Sequence, residues 1–233
     1  MGKKGKSPHT KRIALPRALP VKERKAKYWL VSTSPGPHSA SRSMSLAMLL
    51  RDELQVCASM KEVEKVLNSG AVLVDGKARR NEKRPVGIMD IISIPKMEKA
   101  WRLQMIGGKL RAKEIPPEQA KIKFCKITGK RTERGKKLML TLHDGRNLPS
   151  DNNAKVGSTL KMSVPEFKIL SSLPLDAGAK CVVIRGKHAG KLATLEKIQE
   201  RAGSMEPESM LKSPEGEFTT LTKYLIAVDK DFE

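Results

Sequence analysis

Aromatic residues are scarce in this chain: four Phe, two Tyr and two Trp among 233 residues. A fold that spreads single-stranded bases over an aromatic sheet needs more rings than that, so that class of protein is not expected. Cysteine is rarer still. Cys57, Cys125 and Cys181 lie far apart among apolar residues with no metal-ligand spacing, and they read as buried, reduced thiols of an intracellular protein. His9, His38, His143 and His188 are equally dispersed, so no metal site is expected. Gly186 and Gly190 are wrongly spaced for a P-loop or a dinucleotide fingerprint, which leaves no cofactor and no small-molecule substrate in view. No apolar run approaches the ~18 residues of a transmembrane helix. No basic amphipathic helix carries a full apolar face, and Lys6 stands where a myristoylation motif needs Ser or Thr. A membrane partner is not expected.

Acid is missing where base is dense. Lys and Arg number 46 against 25 Asp and Glu, a net charge of +21. Residues 1–43 carry 11 basic and 1 acidic residue, 44–99 carry 10 and 8, 100–170 carry 16 and 6, and 171–233 carry 9 and 10. Such a chain repels itself unless a polyanion is present, and the first and third segments mark where that polyanion should lie.

Residues 1–41 contain Pro8, Pro16, Pro20, Pro35 and Pro37 among lysines and arginines. This composition predicts an extended basic arm, disordered alone, whose removal should leave the melting of the rest nearly unchanged. Ile13, Leu15, Trp29, Leu30 and Val31 interrupt the charge and suggest that the arm orders against a specific surface.

From Ser45 to Ile94 the pattern changes. Leu46, Leu49, Leu50 and Leu54 recur at helical spacing, and Ser59 with Glu62 makes a capping box that opens a second helix lined by Met60, Val63 and Leu67. Gly70 is a left-handed stop. Val72, Leu73 and Val74 then run into Asp75-Gly76, a two-residue hairpin signal, and a further strand runs from Ile91 to Ile94 before Pro95. The helix openings after Ser45 and Ser59 are expected to offer backbone donors to phosphate.

From Ala100 to Leu170 the period is two. Trp101 to Ile106 leads into Gly107-Gly108. Ala120, Ile122 and Phe124 alternate with Lys121 and Lys123, and Leu138, Leu140 and Leu142 precede an Asp144-Gly145 turn. Leu160, Met162 and Val164 follow. Lys130, Arg131, Arg134, Lys136 and Lys137 are expected to fill a loop between two of these strands. The last piece pairs Cys181–Ile184 with Leu192–Ile198 across Arg185–Lys191, closes with a strand from Lys223 to Val228, and leaves the acidic stretch Ser204 to Glu217 as an exposed loop.

The segment 42–97 resembles the alpha-L RNA-binding domain of bacterial ribosomal protein four, tyrosyl-tRNA synthetases and some pseudouridine synthases. Cys181–Ile198 resembles a KOW motif in an SH3-like barrel. In order, the pieces resemble the archaeal and eukaryotic family of small-subunit ribosomal proteins four of the e type. His9-Thr-Lys-Arg-Ile-Ala-Leu-Pro16, Pro35-Gly-Pro-His38, Gly87-Ile-Met-Asp-Ile-Ile-Ser-Ile94, Ala120 to Ile127 and Leu142-His-Asp-Gly-Arg146 carry that likeness, and the compact length favours the archaeal branch.

The resemblance implies a multidomain α+β chain: arm 1–41, alpha-L domain 42–97, central β domain 98–172 and KOW barrel 173–233. It implies a non-catalytic, cytoplasmic, ribosome-bound constituent of the small subunit. Partners would be small-subunit ribosomal RNA, in its 5′ domain, and neighbouring ribosomal proteins. The candidate RNA-binding residues in the arm are Lys3, Lys4, Lys6, His9, Lys11, Arg12 and Arg17. In the alpha-L segment they are Arg42, Lys61, Lys65, Lys77, Arg79, Arg80, Lys83 and Arg84, and in the central loop Lys130, Arg131, Arg134, Lys136 and Lys137. Two alternatives stand beside this: a KOW-bearing transcription or translation factor, and a pseudouridine synthase with Asp144 as its catalytic aspartate. The second is disfavoured because Asp144-Gly145 reads as a hairpin turn and too little chain follows the alpha-L segment for that catalytic fold.

Overall fold

The computed structural model describes residues 9–21, 23–135, 138–149, 154–229 and 232. They form two compact units. The first comprises the described residues up to Leu103 with Lys109–Ile115, the second Gln104–Gly108 with the described residues from Pro116 on.

In the first unit, β1 (Thr10–Lys11) pairs antiparallel with β2 (Trp29–Leu30). β3 (Met44–Ser45) leads into α1 (Leu46–Met48), which continues as a π-turn over Leu49–Glu53. The regular helix expected there is therefore a single short turn, yet Leu46, Leu49 and Leu50 are all fully buried. α2 (Met60–Asn68) follows the sequence signals closely. Ser59 Oγ accepts from the Glu62 N–H at 3.3 Å, the Glu62 carboxylate accepts from the Ala58 N–H at 2.8 Å, and Val63 and Leu67 face the core. Gly70 ends it at φ +70.

β4 (Leu73–Val74) turns through Asp75 and Gly76, at φ 50 and 70, into β5 (Lys77–Ala78). Positive φ at both central residues is the hairpin turn whose twist matches the strands. β6 (Pro85–Val86) pairs with β3, and β7 (Ile91–Ile94), β8 (Lys99–Ile106) and β9 (Lys109–Ile115) complete a sheet ordered β5-β4-β7-β8-β9. Trp101–Leu103, the start of what reads as the first strand of the central piece, lies in this sheet instead, while Gln104–Ile106 of β8 count with the second unit. A short Pro95–Met97 turn with Glu98 at φ 53 brings Trp101 opposite Ile92, and so short a connection favours antiparallel pairing with the preceding strand.

The arm also departs from expectation. Leu15, Leu19, Val21 and Leu30 are buried, the Leu110 N–H donates to the Ala18 carbonyl at 2.7 Å, and the Ser34 N–H donates to Lys83 O at 2.8 Å. The described residues between 9 and 41 are part of the folded unit, because apolar side chains spaced between prolines bury themselves on a backbone that has little freedom left to lose.

In the second unit β10 (Ile122–Thr132), β11 (Leu138–Leu142), β12 (Asn147–Pro149), β13 (Thr159–Ser163) and β14 (Ile169–Leu173) form a sheet ordered β12-β11-β10-β13-β14. Its core is Cys125, Ile127, Leu140, Leu142, Leu160 and Met162. Alternation located β10 but not its inward face. Lys123 shares the core face with Cys125 and Ile127 and is fully buried. Phe124 and Lys126, on the other face, are buried as well: Phe124 packs edge-on to Phe232, and the Lys126 ammonium donates to the Thr222, Lys223 and Leu225 carbonyls at 3.1, 3.1 and 2.8 Å. Burial pushes the Lys126 ammonium down to about 8, with Cys181 pulling the other way.

β15 (Lys180–Val183), β16 (Leu192–Gln199), β17 (Glu208–Ser213), β18 (Gly216–Leu221) and β19 (Leu225–Ala227) form a second sheet, ordered β18-β17-β16-β15-β19, around Cys181, Val183, Leu195, Leu211 and Leu225. The acidic stretch expected as a loop is largely the β17–β18 hairpin. Ser209 and Leu211 alternate into the core, while Glu206 pairs with Lys223 and Glu215 with Lys191, so local lysines neutralise the acids that made it look like a loop.

Gly190 has φ +96, and a Cβ there would lie 2.5 Å from the Met105 carbonyl oxygen. Gly190→Ala is expected to lower the melting temperature by more than Gly203→Ala. Gly203 shares the positive φ but faces open space, so its substitution incurs only the left-handed penalty of about 1–2 kcal/mol. Equal shifts for the two variants would show that the backbone contact has no energetic weight.

Candidate nucleic-acid interface

The run from Lys77 to Arg84 leaves the edge strand β5 and returns to the start of α1. The Arg79 N–H donates to Val72 O, and Asn81 organises a turn by accepting the Lys83 N–H on its side chain at 2.9 Å and the Arg84 N–H on its carbonyl at 3.2 Å. With these backbone groups directed inward, Lys77, Arg80 and Lys83 stand exposed, and Arg79 and Arg84 are half-buried. Two neighbouring acids, Asp75 and Asp90, are withdrawn from this rim, while Glu82 within the run is half-buried. Asp75 is buried, accepting the Ile91 N–H at 3.1 Å, and Asp90 is buried, accepting the Gly87 N–H and meeting His38 Nε2, each at 2.9 Å. Five cations against one half-buried acid, Glu82, leave this run with a net positive surface.

Arg42 is exposed, as are Lys61 and Lys65, one turn apart on the outer face of α2. The start of α1, however, has no donors to spare. The Leu46 and Ala47 N–H groups donate to the Arg84 and Glu82 carbonyls at 2.9 and 3.0 Å, and the Met48 N–H to Ser45 Oγ. The expected phosphate site after Ser45 is therefore filled by the protein's own backbone.

On the arm, His9, Lys11 and Arg17 are exposed. Arg12 is a correction: it is buried, with Nε on the Glu23 carbonyl at 2.7 Å, which makes it a tie within the arm. Lys3, Lys4 and Lys6 lie outside the described residues, as do Lys136 and Lys137 in the second unit.

That second group is also arranged differently from the sequence reading. Lys130 and Arg131 lie within β10, opposite Leu140 and Met139, so the connection shortens to residues 133–137. Arg131 pairs with Glu133 at 3.0 Å and Arg134 is exposed.

Asp144 does sit in the turn after β11, but its carboxylate is 1% exposed. It meets Lys123 Nζ at 3.2 Å and Arg146 Nε at 3.4 Å, and it accepts the Arg146 N–H at 3.2 Å. Burial raises its proton affinity, but the charges of Lys123, His143 and Arg146 and the Arg146 N–H outweigh that and hold the carboxyl below its usual range. A carboxylate so enclosed cannot reach a nucleobase. Among the described residues no group of three His, Cys, Asp or Glu side chains converges as a metal site, and no helix is long and apolar enough to cross a membrane.

Sequence reasoning missed Lys109 and Arg111, exposed on the edge strand β9. Their alternation with buried Leu110 was the available signal. It also missed the exposed run from Lys25 to Trp29.

A family model described as "Ribosomal family S4e" matches residues 97–169. The small ribosomal subunit protein eS4 of Methanosphaera stadtmanae is 38% identical over 232 residues, covering 99% of this chain and 96% of that protein. Its counterpart in Methanothermobacter thermautotrophicus is 39% identical over 225 residues, covering 96% and 93%. The crystal structure of the 30S ribosomal protein S4e from Thermoplasma acidophilum superimposes with a TM-score of 0.70 at 30% identity, covering 82% of this chain and 96% of that one. With identity at that level along nearly its whole length, and the same fold over four-fifths of it, the chain belongs to the ribosomal S4e family.

Proposed function

We propose that this chain is a structural, non-catalytic constituent of the small ribosomal subunit, holding ribosomal RNA on the cations of its first unit. The observation that carries the reading is the Lys77–Arg84 rim, which exposes Lys77, Arg80 and Lys83 and half-exposes Arg79 and Arg84 against the single acid Glu82, while Asp75 and Asp90 are consumed inside. In this reading 42–97 serves as the alpha-L domain and the sheet of β15–β19 as the KOW barrel. The RNA lies in the 5′ domain, neighbouring small-subunit proteins are the other partners, and the place of action is the cytoplasm, on the ribosome. Arg42, Lys61, Lys65, Lys77, Arg79, Arg80, Lys83 and Arg84 make the principal contacts, joined by exposed cations of the arm and by Lys130, Arg131, Arg134, Lys136 and Lys137. A stable constituent, unlike a transient KOW-bearing factor, should stay with small subunits through a high-salt wash.

Replacing Arg79, Arg80 and Lys83 together by Ala is expected to lower the slope of log affinity against log salt by about 2–3, since each lost phosphate contact removes about 0.7–0.9. Filter binding of the full chain to small-subunit ribosomal RNA at several salt concentrations measures it. An unchanged slope, or cross-links concentrated on residues 199–217, would remove the rim from the interface.

A further inference from the structure

Tyr28 and Trp29, 61% and 53% exposed, are the exposed aromatic side chains among the described residues; Trp101, Phe124 and Phe232 are buried. An exposed tryptophan beside an exposed tyrosine is costly to leave in water, and in a chain with so few rings it calls for a partner. The pair is also held in place. Their rings meet edge-on with centroids 4.6 Å apart, His9 lies 5.4 Å from the Trp29 ring, and Lys11 Nζ sits 5.2 Å from the centre of the Tyr28 ring. The ladder of β1 with β2, buried Leu30 and the Arg12 N–H on the Tyr28 carbonyl fix the backbone beneath them.

We propose that Trp29, supported by Tyr28, is a stacking site for one unpaired base of the bound RNA, an assignment that rests on the RNA-binding reading above. The surrounding charge chooses this occupant over an apolar protein surface. Residues 9–31 carry seven basic residues and one acid, and Lys25 and Lys27 are exposed immediately before the ring pair. An apolar partner would cover the rings but desolvate those ammonium groups without compensation. A nucleotide offers a ring face for the tryptophan and phosphates for the lysines.

The test titrates the full chain with a single-stranded adenine-rich oligoribonucleotide and with a version of equal length and charge in which the bases are replaced by abasic sites. Binding and tryptophan emission are followed in wild type, Trp29→Phe and Trp29→Ala. The expected result is quenching of the Trp29 signal, seen as the difference between wild type and Trp29→Phe, by the oligonucleotide and not by its abasic form. Trp29→Ala should bind the oligonucleotide about 5- to 150-fold more weakly, with an unchanged salt slope because no phosphate contact is lost. Trp29→Phe, which keeps a ring, should lose less. The exposure of Trp29 makes the fold insensitive to these changes, and coincident melting curves check that. Equal binding of both oligonucleotides by wild type and Trp29→Ala, without quenching, would overturn the stacking site while leaving the RNA reading intact, and would return the ring pair to a protein neighbour. Failure to bind either oligonucleotide or ribosomal RNA at low salt would overturn both.

Discussion

Deleting residues 1–27 is expected to weaken binding to small-subunit ribosomal RNA, flatten its salt dependence by several units and lower the melting temperature of what remains. The deleted segment holds 10 of the 11 basic residues before Ser43. If about half of them neutralise phosphates, the slope of log affinity against log salt falls by about 3.5–4.5. The stability effect arises because Leu15, Leu19 and Val21 are buried and Ala18 accepts the Leu110 N–H. Burying three such side chains contributes about 5–9 kcal/mol at most, and ordering their backbone opposes that at about 1–2 kcal/mol per residue. The net docking energy is the small difference, and it caps the damage that any single arm substitution can do. Leu19→Ala should therefore cost about 2–4 kcal/mol only if the arm is docked by at least that much. A smaller loss, equal to that of the full deletion, would measure the docking energy directly. Denaturation of full-length, truncated and Leu19→Ala chains separates these outcomes, and an unchanged melting curve on truncation would restore the picture of a solvated tail.

Asp144→Asn is expected to be strongly destabilising for the second unit. It leaves Lys123, with a fully buried side chain, facing a neutral amide at the position of its 3.2 Å counter-ion. Removing one member of a buried ion pair typically costs about 3–5 kcal/mol, a large share of the about 5–15 kcal/mol that holds a domain together. Lys123→Met should cost less, because Asp144 keeps Arg146 and its backbone N–H. The pH dependence has a definite sign. Since the folded carboxyl lies below its unfolded value, the stabilisation is fully present above the usual carboxylate range and is lost as pH falls through the folded pKa. Urea unfolding across the acid range should show a limb in wild type that Asp144→Asn lacks. Loss of a specific pseudouridine in cells carrying Asp144→Asn would reopen the enzymatic alternative, which the enclosure of the carboxylate argues against.

Local signals were legible wherever one or two residues decide the conformation. Ser59 with Glu62, the stop at Gly70, the Asp75-Gly76 turn and the strand from Ile91 to Ile94 all follow from nearest-neighbour chemistry, and the structure has each of them. Net charge and its scarcity of acid likewise pointed to a polyanion without any fold, because long-range electrostatics depends on composition more than on topology. What the sequence could not decide was which face of a strand points inward and what a polar side chain meets there. Lys123, alternating with apolar residues, reads as solvent-facing because lysine ordinarily is, and nothing local marks Lys126 as buried; their counter-ion and carbonyl acceptors are supplied by Asp144, 21 residues from Lys123, and by Thr222 to Leu225, nearly a hundred from Lys126. The arm read as disordered because its leucines have no local partner, and the surface that buries them exists only after residues far along the chain have folded. Composition and local spacing determined the elements, the turns and the sign of the partner's charge. Tertiary structure alone determined which cations face that partner and which are spent inside, because that choice is made by contacts between residues remote in sequence.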